Sequence, residues 1–138
     1  MTASATYRCA GCGTIASTVT LVAPGQRDPR LTREPPGWSP GVATIDTAFP
    51  RWAQLSIDSG PISVTIAPVP MEAFAAALET GSGAALFALD SEYAPFWCPN
   101  CEESYCREHY RSFEVHDEGF FDCIRGVCPE GHERTLED

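Results

Sequence analysis

The chain has 138 residues, 43% of them hydrophobic and 10% aromatic. This favours one compact domain with room for an inserted lobe, and it disfavours a disordered polymer or a chain organised around a span of about 20 apolar residues. Nineteen acidic residues against nine basic ones leave a net charge of −10, which argues against nucleic acid, whose phosphates call for cations, and for a protein partner or another basic surface.

The first residues lack a basic start followed by a continuous apolar core, so neither a signal peptide nor an anchor is expected. Seven cysteines cannot complete a disulfide framework without a leftover thiol, and their paired spacing suits a metal better than loop stapling; a cytoplasmic location is expected. All nine basic residues are arginine, which codon bias in a genome rich in G and C accounts for most simply.

In chain order, the first feature is the clamp Cys9-Ala-Gly-Cys12. Thr14 to Val22 then alternates Ile15, Val19 and Leu21 with Thr18 and Thr20 and predicts a strand. Residues 23–41 carry Pro24, Pro29, Pro35, Pro36 and Pro40 among glycines and charges, which predicts a long surface loop with Trp38 pinned to the core. Trp52 to Ile57 and Ile62 to Ala67 flank Asp58-Ser59-Gly60-Pro61 and predict a hairpin. Pro70 opens a helix over Met71 to Thr80, closed by Gly81. Leu86, Phe87 and Leu89 predict another strand leading to the second clamp, Cys98-Pro-Asn-Cys101. The third clamp, Cys106-Arg-Glu-His109, precedes a hairpin over Tyr110 to Val115 and Gly119 to Ile124, and Cys128-Pro-Glu-Gly-His132 closes the series. From Cys98 onward eleven acidic residues meet four arginines, so this part carries −7.

Four clamps make eight ligands, enough for two closed tetrahedral sites, because a tight turn bearing Cys-x2-Cys supplies two ligands about 3.7 to 4 Å apart while backbone amides point at the sulfurs. The expected cofactor is zinc, two per chain. Two pairings are open. In the interleaved one, preferred because Cys101 and Cys106 stand so close, one metal takes Cys9, Cys12, Cys106 and His109 and the other Cys98, Cys101, Cys128 and His132. In the sequential one, Cys9/Cys12 joins Cys98/Cys101 as a zinc ribbon. Cys123, in an apolar run, reads as a buried inert thiol or an alternative ligand to His132; His116 reads as an exposed hairpin residue.

The run Cys98-x2-Cys101-x4-Cys106-x2-His109, with one Cys-x2-Cys before it and another pair after it, resembles the binuclear treble-clef group that includes RING, FYVE and ZZ fingers. The resemblance covers roughly residues 7–13 and 96–134 and implies the interleaved metals. Cys128-Pro129 matches the proline after the seventh ligand in many RING domains. The histidine in the third clamp, the x3 spacing of the last, Ala10 in place of a larger docking residue, and Glu133 after the last ligand depart from it.

The fold class expected is α+β: a small two-zinc treble-clef platform of residues 1–12 and 98–138, with an inserted hairpin-plus-helix lobe over 13–97. The function expected is a structural-zinc protein-interaction module without catalytic residues, in its sharpest form a RING-like ubiquitin-ligase scaffold that docks a conjugating enzyme, with no membrane role. Trp38, Trp97, Tyr110 and Phe113 are candidate contacts. The alternatives are a zinc-ribbon nucleic-acid-associated protein using Arg27, Arg30 and Arg33, and a zinc or thiol enzyme using Cys123 with His116 or Glu118 as base.

Overall fold

A computed structural model describes residues 2–23 and 52–138; residues 24–51, which include most of the expected proline-rich loop with Trp38, Arg27, Arg30 and Arg33, lie outside the described residues. The described chain mixes strands with two helices, an α+β arrangement. None of its helices is long and apolar enough to cross a membrane.

A four-stranded antiparallel meander, in order β1 (Thr2–Arg8), β2 (Ile15–Val22), β3 (Trp52–Ser59) and β4 (Val64–Pro70), forms the first layer. Period-two alternation puts Tyr7, Val19, Leu21, Ala53, Leu55 and Ile57 on one face, where Phe74, Ala77 and Leu78 of α1 (Met71–Glu79) and Leu86 of α2 (Gly83–Leu89) cover them. Helix α2 replaces the strand expected around Leu86. Gly81, at φ 68°, ends α1, and the Ser82 hydroxyl accepts a hydrogen bond from the Ala84 N–H at 3.2 Å, an N-cap that restarts the helix at once.

After a 3₁₀ turn at Ser91–Tyr93, the short strands β5 (Trp97–Cys98) and β6 (Glu103–Ser104) form a small hairpin. A second antiparallel meander follows, β7 (Arg111–Asp117), β8 (Phe120–Val127) and β9 (Glu133–Glu137). It packs on a second core containing Cys9, Ala16, Cys98, Tyr105, Cys106, Tyr110, Cys128 and Leu136. From Trp97 on, the chain has strands and turns but no α-helix.

Within the first core Tyr7 stacks on Phe96, ring centroids 4.6 Å apart, and beside the second the Ala10 N–H donates to the Ser104 carbonyl at 2.8 Å. The two cores meet at Arg134. Arg134 on β9 reaches across: its guanidinium donates to the Tyr110 hydroxyl (3.1 Å) and to the carbonyls of Ser91 (3.3 Å) and Ala94 (2.6 Å), and it lies 5.2 Å from the centre of the Phe87 ring. One planar fork thus bridges sheet, 3₁₀ turn and helix.

Candidate metal centres

Each clamp is built by a turn whose backbone closes on itself. Between β1 and β2 the Gly13 N–H donates to the Cys9 carbonyl at 2.8 Å, with Gly13 at φ 75°. Between β5 and β6 the Glu102 N–H makes the same bond to Cys98, also 2.8 Å, with Glu102 at φ 55°. The two knuckles are the same device, but in the second a glutamate takes the left-handed position, at a cost of about 1 kcal/mol. The third clamp closes through the Tyr110 N–H to the Cys106 carbonyl (2.7 Å), the fourth through the Gly131 N–H to Cys128 (2.9 Å) and the Cys128 N–H to His132 (3.0 Å).

These turns bring Cys9, Cys12, Cys106 and His109 into one group and Cys98, Cys101, Cys128 and His132 into another, with the four ligand atoms of each group within 4.8 Å of one another. The grouping is interleaved, first clamp with third and second with fourth; the sequential ribbon is not the one formed. Gly11 permits the first crossing, because a Cβ there would sit 2.8 Å from Cδ2 of His109.

The spacings fit a tetrahedral ion. With metal–sulfur bonds of about 2.3 Å and metal–nitrogen bonds of about 2.0 Å, two sulfurs sit about 3.8 Å apart and a sulfur and a nitrogen about 3.5 Å apart. In the first group Cys12 Sγ to Cys106 Sγ is 3.6 Å, and Nδ1 of His109 lies 3.6 Å from Cys9 Sγ and 3.2 Å from Cys106 Sγ. In the second, Cys101 Sγ to Cys128 Sγ is 3.7 Å, and Nδ1 of His132 lies 3.8, 3.3 and 3.3 Å from the sulfurs of Cys98, Cys101 and Cys128. A disulfide would need about 2.05 Å, and all seven cysteines are free.

The electrostatics point the same way. Burial raises the Cys98 thiol to about 11 and also raises Cys9. At Cys106 burial acts upward too, but hydrogen bonds from His109 and from the Cys12 and Cys9 sulfurs outweigh it, bringing the net value down to about 6. Cys128 falls to about 7 because the His132 and Glu130 amides and its sulfur neighbours overcome burial. Three thiols this close cannot all ionise against mutual repulsion, and a divalent cation at their centre removes that conflict.

Supporting contacts surround the groups; backbone amides at the sulfurs are expected of such turns, whereas the side-chain hydroxyls were not signalled by the spacing. The Tyr105 hydroxyl bonds the Cys101 sulfur, which together with burial pushes the phenol upward. The Thr14 hydroxyl lies 3.0 Å from Cys12 Sγ, and the amides of Gly11 and His132 donate to the sulfurs of Cys9 (3.3 Å) and Cys128 (3.4 Å). The groups differ in cover: Cys12 of the first is exposed, whereas the second contains two buried and two half-buried residues.

Cys123 belongs to neither group; it is buried on β8, paired with Val115. His116 is exposed at the hairpin end, 3.7 Å from Glu114. Tyr110 is wholly buried and Trp97 packs against the first core, so neither is a free contact surface, while Phe113 is exposed.

No curated protein and no solved structure matches the chain. A family model matches residues 1–138, and the chain therefore belongs to the family described as Domain of unknown function (DUF8328).

Proposed function

We propose that each group holds one zinc ion, two per chain, and that the protein is a structural-zinc protein-interaction module. The observation that carries this reading is the presence of two complete sets of three sulfurs and one imidazole nitrogen, each set within 4.8 Å. Thiolates with imidazole in a four-donor set suit zinc over harder cations. When bound, zinc supplies a cross-link between distant chain segments and neutralises two of the three thiolate charges. Four protein donors leave no position for an activated water, which supports binding over hydrolysis. Cys123 is a poor nucleophile, since burial and the Asp122 carboxylate raise its thiol. Seven free thiols suit a reducing, cytoplasmic setting.

In its sharper form the module is a RING-like, treble-clef scaffold of ubiquitin-ligase type that docks a conjugating enzyme. The alternation of clamps between the groups supports that form. Native mass spectrometry of protein purified without added metal tests the main reading: two zincs per chain are expected, and a folded protein with none overturns it. A discharge assay with a ubiquitin-charged conjugating enzyme tests the sharper form. Unchanged discharge removes the ligase role and leaves the zinc count standing.

A further inference from the structure

The β7–β8 hairpin ends in a surface that neither core uses. Phe120 is 77% exposed, Phe121 53% and Phe113 44%, three phenylalanines within nine residues of chain, none of them part of either core. Phe113 and Phe120 share one face of the hairpin, Phe120 being paired with Asp117, while Phe121 pairs with His116 on the other face; leaving aromatics of this size in water is unfavourable, and two on one face mark a contact surface. Around them stand Glu114, Asp117, Glu118 and Asp122, all exposed.

The turn holding this tip is strained at Glu118. Glu118 and Gly119 occupy φ 50° and φ 85° in succession, between the paired residues Asp117 and Phe120, the geometry of a two-residue hairpin loop in which asparagine or glycine is the unstrained first residue. A glutamate there keeps a carboxylate at the apex at the expense of backbone strain. β7 is also an edge strand, with β8 on one side and no further strand on the other among the described residues.

From this juxtaposition we infer that the hairpin tip and the open edge of β7 bind an extended protein segment in which arginine or lysine alternates with apolar residues. The inference rests on the reading of the protein as an interaction module and names its partner's chemistry. An extended strand laid along β7 presents alternate side chains to one face, so its apolar positions cover Phe113 and Phe120 while its cations meet the carboxylates. A second copy of this chain does not fit, because pairing the tip with itself brings like charges together, and anionic lipid or nucleic acid is repelled for the same reason. Carboxylates on an edge strand also guard against stray pairing, but guarding does not call for Phe113 and Phe120 exposed on one face of the hairpin.

Isothermal titration of the zinc-loaded full chain tests the inference, with three capped synthetic peptides alternating arginine with valine, arginine with serine, and glutamate with valine. The arginine–valine peptide is expected to bind, the arginine–serine peptide at least about tenfold more weakly, and the glutamate–valine peptide not at all. The double variant Phe113→Ser/Phe120→Ser should lose about tenfold in affinity, as should Asp117→Asn/Glu118→Gln, while the equally charge-reducing Glu72→Gln/Glu79→Gln on α1 should bind as the parent does. Absence of binding, equal affinity for the two arginine peptides, or equal losses in the hairpin and helix variants each overturn the inference. Zinc counted in every variant separates these results from a failure of the zinc platform.

Discussion

Single side chains in this protein divide by whether they touch a metal group. Cys106 stands in the first group between the Cys12 and Cys9 sulfurs and His109, so Cys106→Ser should remove one zinc and cost more than about 4 kcal/mol. Cys123, equally buried but outside both groups, should lose about 1 kcal/mol or less as serine. Urea unfolding with zinc counted alongside checks the pair, and equal losses would contradict the grouping. Tyr7 offers a different contrast: its hydroxyl is buried without a hydrogen-bond partner among the described residues. Tyr7→Phe should therefore leave the urea midpoint at neutral pH unchanged or raised. Burial pushes the same phenol to about 12 from 10, so the folded state favours its neutral form. That contribution is complete below about pH 10 and is lost as pH rises through about 12; the phenylalanine variant should lose less stability over that window.

At the scale of elements, the clamps were legible in the sequence because metal-ligating turns are local: Cys-x2-Cys carries its own geometry. The meander β2–β3–β4 and helix α1 were legible for the same reason, through period-two alternation and a proline-to-glycine frame. What was not legible depended on distant partners. β1 is mostly small residues and threonines, and its strand state comes from pairing with β2, and β9 is polar apart from Leu136, which fills the second core. Leu86-Phe87-Ala88-Leu89 is short enough to suit either state, and the Ser82 cap decides it. Arg134 and Tyr105 gave no signal, since their roles are set by what folding brings beside them. One junction carries a further prediction. A Cβ on Gly60, in the β3–β4 turn, would stand 2.5 Å from the backbone N of Arg107, between the ligands of the third clamp. Gly60→Ala should cost about 1–3 kcal/mol and make the first zinc easier to chelate, read as the release rate into a colorimetric chelator; release unchanged from the parent would show that turn and clamp are not coupled.

For the whole molecule, two zinc ions bound as proposed would contribute a term that rivals everything else. Structural zinc contributes on the order of 10–16 kcal/mol in finger peptides at neutral pH, against roughly 5–15 kcal/mol for a typical domain. The core around Cys9, Tyr110 and Leu136 is lined by the ligands themselves, whereas the core under α1 and α2 is built from ordinary apolar side chains. Verified metal removal should unfold the platform of residues 96–134, seen as lost near-ultraviolet circular dichroism from the tyrosines at 105 and 110. Full retention of that signal would mean that the strands hold the platform without metal.

The interleaving also sets an order in time. Between the two clamps of the first group, ligands that meet are 94 to 100 residues apart in the chain, as for Cys12 with Cys106 and Cys9 with His109; between those of the second they are 27 to 34 apart. Closing the longer loop costs about 1 kcal/mol more in chain entropy, and at ribosomal rates Cys12 emerges roughly 5–20 s before Cys106. In refolding the shorter loop is therefore expected to close the second group first, whereas in synthesis Cys106 and His109 emerge before Cys128 and His132, so Cys9 and Cys12 wait as bare thiols until the third clamp appears. Zinc-triggered refolding should show a fast phase that survives Cys12→Ser and a slow one that does not. Between those phases lies the interval in which the refolding chain, its first clamp still bare, is most open to the wrong metal or to oxidation.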